Sequence, residues 1–202
     1  MASEVDICNK ALLSLGANQI ISLDDPQTEA QLCKQLYADL RDAVLQAHNW
    51  SFAVERVNLP KSGTDPTFRY ANKYPLPSRT LYVWEVNKIA IDDPTRDWQI
   101  ENDAIVSNDN NCSAKILKQV TDTSKFSPLF VQCLQARLAA DMAIPLTSNG
   151  KVEEAKWSLY NAKLKEAISR DGQQGKSRRI RSRWLLNARL SSGPRSGAGP
   201  VV

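Results

Sequence analysis

The sequence predicts an α+β fold: an antiparallel helical bundle of about four helices, with an inserted small antiparallel β region and an extended C-terminal arm. Three observations predict it. Apolar residues recur at helical spacing in both outer thirds of the chain, aromatic and β-branched residues cluster in the middle, and the C-terminal end is rich in Gly, Ser and Pro. The predicted boundaries are 1–49 and 127–172 for the bundle, 50–126 for the β-rich insertion, and 173–202 for a basic arm that is flexible until docked.

Two helices are predicted before the insertion. Ser3 is placed to cap the first helix and Gly16 to end it, because the positions between them carry apolar residues at spacings of three and four. Asp24-Asp25-Pro26 offers a cap followed by proline for the second helix, whose apolar stripe continues from Ala30 to Ala47. Both helices are therefore expected to be amphipathic.

The insertion is predicted to be a small antiparallel sheet. Residues 50–66 are interpreted as extended chain and loops, because Pro60, Gly63 and Pro66 interrupt them. A hairpin turn is expected near 101–103. Strands are predicted at 70–76, 81–86 with an extension over 89–91, 98–100, 104–106, and through Ala114, Ile116 and Val120.

Two more helices follow the insertion. Ser127-Pro128 repeats the pattern of a cap followed by proline, and Pro145 is predicted to end the third helix. Ser148-Asn149 is placed to cap the fourth helix, and Gly172 is placed to end it.

Charge is distributed unevenly along the chain. Residues 172–202 contain seven basic and no acidic residues, and since the whole chain carries +4, residues 1–171 carry −3. A mixed basic and apolar stretch favours an arm that docks on an acidic partner protein, although contact with nucleic-acid phosphates and a solvated tail are alternatives. The predicted docking residues are Lys176, Arg178, Arg179, Arg181, Arg183, Trp184, Leu185, Leu186 and Arg189.

No motif in the sequence points to catalysis, to a cofactor or to a metal. Nucleotide-binding, hydrolase and zinc-protease patterns are missing, and His48, the single histidine, ends a predicted helix as a capping or packing residue. The acidic pairs at 24–25, 92–93 and 153–154 fit turns and a helix start better than an acid–base or magnesium site. Buried free thiols are expected at Cys8, Cys33, Cys112 and Cys133.

Aromatic residues in the insertion are candidates for subunit or tail contacts. Large aromatic side chains dominate the energetics of both cores and interfaces, so burial in the chain's own core is the alternative. Basic neighbours also leave stacking on single-stranded nucleic acid open. The contact candidates are Tyr70, Tyr74, Tyr82, Trp84 and Trp98.

Several stretches of the sequence are similar to one protein family. They are Ile7–Leu12, Gly16-Ala17, Ser22–Asp25, Arg41–Ala53, Ala143–Thr147 and Asp171-Gly172. In these stretches the chain resembles the tail tubular protein A family, the head-to-tail adaptors of short-tailed bacteriophages. The resemblance covers residues 4–58 and 128–175, whereas the middle strands share only a general character, and the basic arm departs from the pattern.

The resemblance implies a structural virion protein without catalysis. Such adaptors form a ring between the portal protein and the tail nozzle protein, so this chain is expected to assemble as a dodecamer. In such a ring the helical part and the C-terminal segment face the portal, and the β region faces the tail. Nonspecific contact with DNA passing through the channel is a further expectation. With no signal peptide and no membrane-spanning run, the protein is expected to be made in the bacterial cytoplasm, to reach the virion, and to bind no membrane. A nucleic-acid-binding module acting through the arm, and a small nuclease, remain the alternatives.

Overall fold

The structure is a computed structural model that describes residues 3–174. Helices stand at both ends of this range and strands fill the middle. The helices are α1 (Glu4–Leu15), α2 (Thr28–Gln46), α3 (Pro128–Thr147, preceded by a 3-10 turn at Thr123–Lys125) and α4 (Gly150–Gln174). The strands are β1 (Val54–Leu59), β2 (Asn72–Pro75), β3 (Thr80–Val86), β4 (Ile89–Ala90), β5 (Trp98–Glu101), β6 (Ala104–Ser107) and β7 (Cys112–Lys118).

The strands form two antiparallel sheets. One has four strands in the order β1-β7-β3-β4, and the other has three in the order β2-β6-β5. The sheets share an apolar core in which Tyr74, Trp98 and Ile105 of the second sheet meet Val83 and Ile116 of the first. The four-stranded sheet also contributes to a second core among the helices, through residues such as Leu117. The four-stranded sheet is therefore packed against both the helices and the three-stranded sheet.

The predicted fold of a helical bundle with a small β insertion is wrong. In the described residues seven strands build two sheets with their own core, so the β part is a major element of the fold. The main omission was β1, because residues 54–59 lie among prolines and glycines and carry two adjacent charges. Their partner is β7, in a register from Val54 opposite Leu117 to Leu59 opposite Cys112. Sequence periodicity reports local structure and does not reveal such a distant pairing.

The first helix confirms its predicted ends. The Ser3 hydroxyl accepts from the Asp6 backbone N–H at 3.0 Å while the Asp6 carboxylate accepts from the Ser3 N–H at 2.9 Å, which is a complete capping box. Gly16 ends α1 with φ of 74°, in the left-handed region that favours glycine.

Three other predicted helix ends need correction. The second helix begins at Thr28 and not at the Asp-Asp-Pro stretch, because the Asp25 carboxylate closes the preceding loop by accepting from the N–H groups of Ile21 and Ser22. Helix α3 passes through Pro145 and stops at Ser148, whose φ of 50° is left-handed. Helix α4 continues past Gly172 to Gln174, since a helix tolerates one glycine at a cost of about 1 kcal/mol.

The apolar helix α3 is central to the helical part and contacts the other three helices. By length and composition it meets the criteria for a membrane-spanning helix, but the core helix of a soluble protein meets them too. Half of its qualifying window is buried inside the fold. Residues such as Phe130, Leu134, Leu138 and Met142 are fully buried among the other helices.

Candidate interaction surfaces

Trp50 anchors the joint between α2 and β1. Its side chain is 1% exposed, and its indole N–H donates to the Val44 carbonyl at 2.9 Å. The ring packs edge-on against Phe130 of α3, with centroids 5.1 Å apart, and Phe52 also packs edge-on against this phenylalanine at 5.2 Å. This cluster fixes the direction in which the chain leaves the helices and enters the first sheet.

Asp171 ties the end of α4 to the same joint. Its carboxylate accepts from the backbone N–H of Ser51 at 3.1 Å and from the Ser51 hydroxyl at 2.8 Å. The Nε2 atom of His48 lies 3.3 Å from Asp171 Oδ2, the oxygen that also accepts from the Ser51 N–H, and the His48 ring packs edge-on against Trp50. His48 is thus part of the packing between α4 and the joint, close to the capping or packing role that the sequence suggested.

The contact candidates of the β part separate into two groups. Tyr74 and Trp98 are each 1% exposed and fill the core between the two sheets, so their side chains are not available to a partner. Tyr82 is 38% exposed and packs edge-on against the half-buried Trp84, with ring centroids 4.6 Å apart. Tyr70 is also half-buried. Surface contacts through these aromatic side chains are therefore restricted to Tyr70, Tyr82 and Trp84.

The loop between β1 and β2 contains a surface feature that the sequence did not indicate. Phe68 at this loop is 82% exposed, and the next residue, Arg69, has a φ of 69° and places its guanidinium over the Tyr70 ring at 5.4 Å. The loop borders a groove of about 400 Å³ that also includes Lys73 and Glu101. The sequence predicts extended chain and loops over residues 50–66, which end before Phe68, and the one signal for this feature is an aromatic residue among turn-forming residues.

The acidic pairs do not converge. Asp24 pairs with Lys34 at 2.7 Å, and Asp93 accepts from the N–H and hydroxyl of Thr95. Within the part of the chain that the structure describes, no group of three or more His, Cys, Asp or Glu side chains is arranged as a metal site. The predicted docking arm, with Lys176 through Arg189, lies outside the described residues.

No protein-family model matches the chain, and no curated protein matches it.

All four cysteines are free and buried, as predicted. Burial raises the pKa of both Cys112 and Cys133 to about 11. The hydrogen bond with Cys8 lowers the pKa of Cys33, whereas the pKa of Cys8 is raised. We expect none of the four thiols to react appreciably with a thiol reagent at pH 8 in the folded protein, because all four sulfur atoms are covered and the reactive thiolate is scarce at Cys8, Cys112 and Cys133. Chromogenic thiol titration with and without guanidinium measures this directly. One thiol reacting at the rate of the denatured chain would contradict the burial described here.

Proposed function

We propose that this chain is a structural virion protein: the subunit of an adaptor ring that connects the portal of a short-tailed phage to its tail nozzle and forms part of the DNA ejection channel. The observation that supports the proposal best is the contact between Ser51 and Asp171, at 2.8 Å between hydroxyl and carboxylate. These residues belong to the two separate stretches that resemble the adaptor family. The similarity thus lies in residues that meet in space and build one joint.

The position of this joint suits an arm that docks. Asp171 holds the end of α4 on the chain that leads into the first sheet, and the basic residues 176–202 follow directly in sequence. A segment that orders only on binding loses less affinity when its point of attachment is fixed, because the start of the segment is already positioned. The arm would then grip the portal from a defined place on the helical part.

A nucleic-acid-binding module is the second candidate, and the charge of the arm supports it. Residues 172–202 carry seven basic and no acidic residues, a composition that neutralises phosphates and releases their counterions. Under this alternative, duplex DNA would bind with an affinity that falls steeply with salt, and removal of the arm would abolish binding.

The adaptor proposal predicts that purified protein forms rings on portal rings from the same phage, visible by electron microscopy. Removing residues 176–202 should leave a folded chain that fails to dock, because the described helices and sheets end before this segment. Circular dichroism and thermal unfolding test whether the truncated chain is folded. If it is folded and does not dock on portal rings, the loss of docking is attributable to the missing arm.

One result would contradict the adaptor proposal as a whole, and another would contradict only the role of the arm. Absence of rings on portals at every salt concentration tested would remove its basis. Equal docking by the full and truncated chains would remove the role of the arm while leaving the adaptor role in place. Tight, salt-sensitive DNA binding without portal binding would favour the nucleic-acid module.

A further inference from the structure

Strand β1 is an open edge of the four-stranded sheet. It pairs with β7 on one side, and none of the other strands in residues 3–174 pairs with it on the other side. An edge strand presents unpaired N–H and C=O groups at alternate positions, which is a template for a further strand. β1 has six residues, none of them proline, so it has the length of an ordinary strand and no blocked position.

A row of charges crosses the sheet at this edge. Arg56 on β1 lies opposite Lys115 on β7, which in turn lies opposite Glu85 on β3. Like charges directly opposite each other destabilise a sheet, and opposite charges stabilise it. Lys115 has an acidic cross-strand neighbour on its far side, whereas no acidic side chain in the described residues forms an ion pair with Arg56. The row lacks an acidic member on the open side of Arg56.

The surroundings of Arg56 are basic and concave. A cleft of about 670 Å³ is lined by Arg56, Lys115 and Lys88 together with Glu85 and neutral side chains, which gives its charged residues a net charge of +2. This volume lies within the range of about 300–1,000 Å³ that is typical of ligand pockets. Glu85 within the row disfavours a continuous run of phosphates, so the cleft suits carboxylates of a protein better than a nucleic-acid backbone.

The chain's own arm does not supply the missing acidic residue, since residues 172–202 contain none. We infer that the open edge of β1 binds an extended acidic segment of a partner protein as a fifth strand of this sheet, with one carboxylate opposite Arg56. Backbone hydrogen bonds would hold the segment, and Arg56 would select it, because a basic residue on an edge strand discourages pairing with unselected strands. This surface is formed by β1 and its neighbours in the described residues, and the inference does not depend on the adaptor proposal.

The test is selection of random displayed peptides, each long enough for one strand, on the full-length chain. The expected result is enrichment of β-branched peptides with an acidic residue at one fixed position. For a labelled selected peptide, fluorescence anisotropy should show binding weakened about tenfold by Arg56→Glu, since attraction is replaced by repulsion. Exchanging the acidic residue of the peptide for lysine should restore binding to that variant. Lys165→Glu, at an exposed position of α4, is the matched control and should leave binding unchanged.

The variant is expected to stay folded, because Arg56→Glu replaces a pair of like charges by a pair of opposite charges with Lys115. Loss of peptide binding is then distinguishable from loss of structure by thermal unfolding. The inference is overturned if no peptide is enriched, or if the selected peptides bind the Arg56→Glu and wild-type chains equally well. The inference would also be overturned if Arg56 were required for self-association of the chain or for binding of a DNA duplex, and not for peptide binding.

Discussion

Replacing Trp50 by alanine is expected to lower the free energy of unfolding by about 3–5 kcal/mol. The side chain is 1% exposed and contacts aromatic rings on both sides of the joint between α2 and β1, so its removal leaves a cavity in the helical core. The Val44 carbonyl also loses the indole N–H that it accepts at 2.9 Å. Because small domains are stable by only about 5–15 kcal/mol, the variant should be close to unfolding at room temperature.

Urea unfolding followed by far-ultraviolet circular dichroism measures this loss without relying on tryptophan fluorescence. Trp50→Phe should cost less than the alanine variant, since it keeps most of the apolar contact and loses the hydrogen bond. Phe68→Ala is the matched control, because that ring is 82% exposed, and its effect should stay within about 0.5 kcal/mol. A loss below 1 kcal/mol for Trp50→Ala would mean that the aromatic cluster does not organise the joint.

Helix α1 was predictable because both of its ends are determined by residues close to them in the sequence. The Ser3 capping box and the left-handed Gly16 require only residues within one turn of each end. The start of α2 was not predictable in this way. Asp25 can either cap a helix or close the preceding loop, and the sequence does not show which of the two it does. Its carboxylate serves the loop at 21–22, so the helix starts beyond Pro26.

The β part was underestimated because its pairings are distant in sequence. The hairpin of β5 and β6 was predicted from a short turn, and that turn has left-handed Asn102 and Asp103. β1, in contrast, pairs with β7, which lies almost sixty residues further along the chain, and no pattern in residues 54–59 predicts this pairing. The same limit applies to the candidate surfaces: composition identified aromatic residues, but only the packing separates buried Tyr74 and Trp98 from Tyr82.

The joint at Asp171 shows how much a local pattern leaves out. Gly172 is predicted to end the fourth helix, yet α4 continues to Gln174, and the side chain of the neighbouring Asp171 bonds to Ser51, 120 residues away in sequence. The Asp171 side chain is only 11% exposed, whereas Ser51 is exposed. If the arm beyond α4 docks on a partner, this carboxylate determines where the arm begins.

Asp171→Ala is expected to lower the free energy of unfolding by about 2 kcal/mol, since hydrogen bonds to a charged group contribute about 1.5–3 kcal/mol and the exposed Ser51 can bond to water in the variant. In a double-mutant cycle with Ser51→Ala, the two losses should be less than additive, because both changes remove the same contact. Ser169→Ala, on the exposed face of α4, is the control and should have little effect. Additive losses would show that the two side chains stabilise the fold independently, and Ser51 and Asp171 would then not act as one joint.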